Sequence, residues 1–67
     1  MTNYRIFFFL GGVTRYDDFQ AQTNDDAREE AKKYAREENI AIEILMNLDE
    51  MQDLDLRFDP SKEVSNG

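Results

Sequence analysis

The chain has 67 residues, with 15 Asp and Glu against eight Lys and Arg, no histidine, no cysteine and a formal net charge of −7. A chain this short makes one domain with a thin core, since folding at this size buries only about 60% of the unfolded surface. Disulfide staples and thiolate chemistry are excluded, and the charge disfavours nucleic acid and anionic membrane, which are bound through Lys and Arg.

The N-terminal segment Tyr4 to Leu10 is rich in aromatic and branched residues and stops at Gly11-Gly12, a dipeptide that supplies the positive φ of a tight hairpin turn. Its apolar run, Ile6 to Leu10, is far short of the roughly 20 residues that cross a bilayer, and no signal peptide is expected. A second strand follows from Val13 to Gln22. With Gly11 and Gly12 as the two loop residues, Leu10 faces Val13 and Phe7 faces Tyr16. The acids Asp17 and Asp18 interrupt the alternation and predict a bulge.

Thr23, with Asp26 three residues on, predicts a capped helix from Asn24 to Glu38, with Asp25 and Asp26 at its positive end. Its apolar stripe is Ala27, Ala31, Tyr34 and Ala35, narrow enough for the helix to lie close on a sheet. Glu29 and Lys33 are spaced for an i,i+4 ion pair, and Asn39 suits the left-handed helix end. Ile40, Ile42, Ile44, Met46 and Leu48 then alternate with other residues, predicting a half-buried strand. Asp49 to Gln52 reads as a turn. Leu54, Leu56 and Phe58 alternate with Asp53, Asp55, Arg57 and Asp59 as a fourth strand, ended by Pro60. The fold class expected is α+β, in the order β-β-α-β-β, with a four-stranded antiparallel sheet and one helix on one face. Residues 1–60 form the domain, and Ser61 to Gly67 a loose tail.

Catalytic equipment is sparse. The only serines are Ser61 and Ser65, so no nucleophile and base of the usual kinds can be assembled. Paired carboxylates abound, but splitting their pKa values needs a concave, desolvated site. Asp53-Leu54-Asp55 opens like a calcium loop and then fails at Arg57 and Val64, where ligands are required. No enzyme, cofactor or metal is expected.

Two features remain. The charge is uneven: Met1 to Arg36 holds six acids and six bases, whereas Glu37 to Gly67 holds nine acids against Arg57 and Lys62. Glu37, Glu38, Glu43, Asp49, Glu50, Asp53, Asp55 and Asp59 are therefore candidate partner-binding residues, a phosphate-like array for a basic groove. The plain alternative is that they keep a small protein soluble. Glu37 and Glu38 also oppose the helix dipole with no evident local gain. The second feature is Phe7-Phe8-Phe9. Neighbours on a strand point to opposite faces, so one helix cannot cover all three. With Tyr4, Ile6, Phe8, Leu10, Val13 and Phe19 facing the helix, Phe7, Phe9, Tyr16 and Leu45 line the open side as a candidate partner or homodimer face. A curled sheet or the tail is the alternative cover.

The stretch Phe19-Gln20-Ala21-Gln22-Thr23-Asn24-Asp25-Asp26-Ala27-Arg28-Glu29-Glu30-Ala31, between a hairpin and an alternating strand, resembles small acidic phage proteins that disable host machinery, the inhibitors of bacterial RNA polymerase and some anti-CRISPR proteins. The resemblance covers about two thirds of the chain and lies in element order and capping pattern. It implies a stoichiometric, non-enzymatic inhibitor that blocks a basic nucleic-acid-binding surface of a host complex in the bacterial cytoplasm, with DNA mimicry as the expected mode. The rival expectation is a small assembly protein that dimerises through Phe7 and Phe9. Direct DNA binding needs the basic helix face of Arg28, Lys32, Lys33 and Arg36, which Glu29, Glu30 and Glu37 interrupt.

Overall fold

The computed structural model describes residues 1–63. Strands β1 (Thr2–Leu10) and β2 (Val13–Ala21) form a hairpin, helix α1 (Asn24–Glu38) follows, and β3 (Ala41–Asn47) and a short β4 (Gln52–Asp53) complete an antiparallel sheet ordered β2-β1-β3-β4. The expected α+β architecture is the one observed. The sheet order places β1 and β3 at the centre and leaves β2 and β4 as edges.

Local signals set the hairpin and the helix. Gly11 and Gly12 have φ of 62° and 78°, the left-handed region that a two-residue hairpin turn requires. The pairing that results runs without a break from Leu10↔Val13 through Phe7↔Tyr16 to Thr2↔Ala21. No bulge occurs at Asp17–Asp18, contrary to the sequence expectation: Asp17 and Asp18 simply take opposite faces. At the helix start, Thr23 Oγ1 accepts from the Asp26 N–H at 3.1 Å, and at its end Asn39 adopts φ 55° and ψ 52°. Ala27, Ala31 and Ala35 are each no more than 1% exposed. Tyr34 meets Phe8 edge to face at 6.3 Å. The expected Glu29–Lys33 pair is absent from the ion pairs of the described residues, where Arg28 instead binds Asp25.

The main departure from the sequence pattern is in β3. Phe7 pairs with Ile44 but Phe8 pairs with Ile42, so Glu43 is an extra residue and the strand is bulged there. One inserted residue reverses the facing of everything beyond it. Ile42 faces the helix on one side of the bulge, and Leu45 and Asn47 do so on the other, while Ile44 and Met46 turn to the opposite face. Leu45, expected on the open side, is fully buried, and Ile44 is only half-buried. The core is accordingly Tyr4, Ile6, Phe8, Ile40, Ile42, Leu45, Leu54 and Leu56 with the three buried alanines and Ala21. A fully buried side chain such as Ile6 or Leu45 contributes about 1.5–3 kcal/mol.

Leu10 and Val13 share the helix-side face as expected, yet they are 47% and 53% exposed, because the hairpin tip projects past the helix. The fourth strand is shorter than its alternation predicts. Asp55 has φ 56°, which breaks the ladder after Asp53, and pairing resumes only at Ile42↔Phe58. Leu54 and Leu56 are nevertheless buried and Asp53, Asp55 and Arg57 exposed. Beyond them Pro60–Lys62 form a 3-10 turn, and Glu63 binds Arg36 at 2.7 Å. Residues 64–67 of the expected tail lie outside the described residues. Among the described residues no helix is long and apolar enough to cross a membrane.

One polar cluster is buried. Asn47 is 3% exposed, donates to Asn24 Oδ1 at 3.1 Å and accepts from the Glu50 N–H at 3.0 Å; Tyr4 Oη–H donates to the same Asn24 oxygen at 2.9 Å. The helix start, the central strands and the β3–β4 turn are thereby tied together, and among the described residues no buried side-chain nitrogen or oxygen lacks a hydrogen-bond partner.

Candidate binding surface

Only one face of the sheet is covered by the helix. On the other face β1 contributes Arg5, Phe7 and Phe9, which pair with Asp18, Tyr16 and Thr14 of β2 on one side and with Met46, Ile44 and Ala41 of β3 on the other. Phe9 is 51% and Tyr16 60% exposed, and Phe7, Ile44 and Met46 are half-buried. The candidate face Phe7, Phe9 and Tyr16 is thus brought together as expected. Ile44 and Met46 take the place given to Leu45. The chain up to Glu63 does not cover it, since Glu63 is held on the helix by Arg36.

One margin of this face is organised by charge. The Arg5 guanidinium meets both Asp18 oxygens, at 2.7 and 2.9 Å, and lies 4.3 Å from the centre of the Tyr16 ring. Phe7 and Tyr16 are 6.3 Å apart and tilted. Tyr16 is therefore held between an aromatic and a cation. The hydrogen bonds from Arg5 hold the Asp18 carboxyl below its usual range, and Asp18 in turn raises Arg5. This constellation escaped the reading of acids and aromatics by type. The turn register carried the signal: with Leu10 opposite Val13, Arg5 must fall opposite Asp18.

The opposite margin is acidic. Glu43, at the bulge, Asp53, on β4, and Asp55 line a depression with Ile44 and Arg57. A neighbouring open depression of roughly 600 Å³ adds Phe58, Asp59 and Lys62 to Glu43 and Ile44. The structure thus gathers Glu43, Asp53, Asp55 and Asp59 along the β4 side of the sheet, interleaved with Arg57 and Lys62. The other candidates lie apart: Asp49 and Glu50 are in the β3–β4 turn, and Glu37 and Glu38 at the end of the helix. Among the described residues no group of three or more carboxylates is close enough to hold a metal ion.

Several of these acids also have local work. Asp49 accepts from Asn3 Nδ2 at 3.3 Å, and Asp53 Oδ1 accepts from the Asp55 N–H at 2.8 Å. Asp59 Oδ1 accepts from both the hydroxyl and the N–H of Ser61, which lowers its pKa. Turn formation accounts for Asp53 and Asp59 without a partner. Among the described residues the hydrogen bonds and ion pairs include no side-chain partner for Glu37, Glu38, Glu43, Glu50 or Asp55.

On the helix side a smaller crevice is lined by Ile6, Phe19, Ala31, Tyr34 and the carboxylates Asp17 and Glu30. Tyr34 Oη–H donates to Asp17 Oδ2 at 2.9 Å, and this bond, with burial, raises the phenol pKa.

No known family, characterised protein or solved structure matches this chain.

Proposed function

We propose that this chain is a non-enzymatic protein-binding inhibitor or modulator that seats the open face of its sheet on a basic, nucleic-acid-handling surface of a host complex. The observation that carries the proposal is the uncovered row Phe7, Phe9, Tyr16, Ile44 and Met46, continuous at the β4 side with Glu43, Asp53 and Asp55. An apolar centre with a charged rim is the usual anatomy of a protein interface. A rim in which Glu43, Asp53 and Asp55 outnumber Arg57 favours association with a surface of opposite sign. A phage origin, an anti-CRISPR-like mode of action and a site of action in the bacterial cytoplasm belong to the same proposal and rest on the sequence resemblance. The non-catalytic character is supported by the residue inventory and by the placement of the perturbed titrations, which belong mainly to exposed ion pairs and turn bonds.

The test is to neutralise Glu43, Asp53 and Asp55 together as amides and to replace Phe9 by Ser separately. Both variants should keep the circular dichroism spectrum of the parent and lose the partner. Neutralised protein that binds as tightly as the parent, at low salt and with its fold intact, would remove the acidic rim from the account. The second reading, an assembly protein that pairs with itself through Phe7, Phe9 and Tyr16, draws on the same exposure. It predicts that Phe9→Ser converts a dimer to a monomer.

A further inference from the structure

The outer edge of β2 has its own organisation. Because Gly11 and Gly12 form a two-residue turn, Leu10 and Val13 are a hydrogen-bonded pair, and so is every second pair after it. Val13, Arg15, Asp17 and Phe19 therefore direct their backbone N–H and C=O groups at β1. Thr14, Tyr16, Asp18 and Gln20 direct theirs outward. The same alternation holds on the other side of β1, where the Asn3 carbonyl accepts from the Leu48 N–H at 2.8 Å. The outward groups of Thr14 and Tyr16 have no partner among the described residues, and the Asp18 N–H is met only by Asp17 Oδ1 at 3.2 Å. The strand is nine residues long and contains no proline and no bulge, two of the devices that blunt an edge; its charged residues Arg15, Asp17 and Asp18 are a third, and they block pairing only in registers that set like charges opposite one another.

We propose that a second copy of this chain pairs antiparallel along β2, about a twofold axis at Tyr16, so that Arg15 of each copy lies opposite Asp17 of the other. The charges select this register. Side chains of paired residues must share a face, which for a twofold pairing puts the axis on a residue of the strand. An axis at Arg15 opposes two arginines, one at Asp17 opposes two aspartates, and one at Asp18 does the same. The axis at Tyr16 pairs opposite charges twice. It also places Val13, 53% exposed, opposite Phe19, and Tyr16, 60% exposed, opposite its own copy. Arg15, which makes no ion pair among the described residues, gains a partner. The outward groups of Thr14, Tyr16 and Asp18 complete a ladder, with Asp18 exchanging its bond to the Asp17 side chain for a backbone carbonyl. The product is a continuous sheet of twice four strands, with both helices on one side and both Phe7–Phe9 faces on the other. Self-pairing along the edge leaves Phe7, Phe9, Ile44 and Met46 uncovered and brings only Tyr16 of that row to the seam.

The test is sedimentation equilibrium of the parent, Arg15→Asp, Asp17→Arg and the double exchange, from about 1 to about 300 µM. The parent should show a reversible dimer with a dissociation constant on the order of 10 µM, fitting a small edge interface. Each single exchange sets like charges opposite one another twice and should weaken the dimer about tenfold or more. The double exchange should restore it to within about threefold of the parent, which a general effect of charge does not do. Asp17→Arg also removes the Tyr34 acceptor; should that variant unfold, Tyr16→Pro replaces it, removing an outward N–H that the monomer does not use. Tyr16→Pro should abolish the dimer. A parent that stays monomeric over the whole range overturns the proposal, as does a dimer that survives Arg15→Asp and is lost in Phe9→Ser.

Discussion

Replacing Leu45 by Ala should cost far more than replacing Ile44 by Ala, and the difference follows from the single extra residue at Glu43. Leu45 is fully buried beneath the helix, on the face of Ile6 and Ile42, whereas Ile44 is half-buried on the open face. Removing three carbons from Leu45 forfeits about 2.4 kcal/mol of transfer free energy at about 0.8 kcal/mol each. The cavity left behind brings the loss to about 3 kcal/mol. A domain of this length has a total stability of roughly 3–10 kcal/mol, so Leu45→Ala removes a large fraction of it. The midpoint of thermal unfolding should fall by roughly 12–24 °C. Ile44→Ala, losing contacts on one side only, should cost less than about 1.5 kcal/mol. Thermal and urea unfolding followed by far-ultraviolet circular dichroism measures both. The unbroken alternation Ile40, Ile42, Ile44, Met46 predicts the reverse order. Equal or reversed losses would refute the bulge and the core built around it.

Asn47→Ala should destabilise by about 2–3 kcal/mol, because it strips partners from the Glu50 N–H and from Asn24 and leaves Tyr4 as the only side chain on that oxygen; urea unfolding reads the loss, and a change below about 0.5 kcal/mol contradicts the buried network. Gly11→Ala should cost about 1 kcal/mol with nothing to clash against, since its φ of 62° is the sole obstacle and the space around it is open. In acid, Asp18, Asp59 and Glu63 titrate lower in the folded chain than in the unfolded one, through Arg5, Ser61 and Arg36 respectively. The unfolded chain therefore takes up protons first, and the stability these groups supply is present near neutrality and lost as the pH falls from about 4.5 downward. Glu63→Gln should flatten that decline, and an unchanged slope in acid titrations of unfolding refutes the Arg36–Glu63 contribution. At the other end, Tyr34 is raised above its usual 10.0 by Asp17, so its share of stability is lost as the pH rises through that region, and Tyr34→Phe should remove that dependence.

Much of this fold is legible in the chain because its signals are local. Gly11-Gly12 fixes the turn and with it the whole β1–β2 register. Thr23, Asp26 and Asn39 delimit the helix, and the spacing of Ala27, Ala31 and Ala35 names its buried side. The bulge was hidden because Ile44, Leu45 and Met46 are all apolar, so either phase of the strand satisfies the alternation. Asn47 held a clue, since it falls in the inward phase that Leu45 sets, but its partners Asn24 and Glu50 come from other elements. The break in the fourth strand rests on the positive φ of Asp55, which sequence pattern alone does not require. At the surface, exposure of Phe9 and Tyr16 followed from simple alternation on β1 and β2. The grouping of the acids did not: Glu37 and Glu38 lie at the helix end as read, but that Glu43 lines one depression with Asp53 and Asp55 depends on β4 pairing with β3, a long-range property.

The most direct measurement is a pull-down from bacterial lysate with three baits, the parent, Phe9→Ser and the Glu43/Asp53/Asp55 amide variant, each at low and at moderate salt, with bound proteins quantified by mass spectrometry. The account predicts that the parent retains a nucleic-acid-handling complex at low salt, that moderate salt weakens it, and that both variants lose it while remaining folded. Equal recovery of that complex by all three baits would contradict the assignment of the open sheet face and its acidic rim as the binding surface.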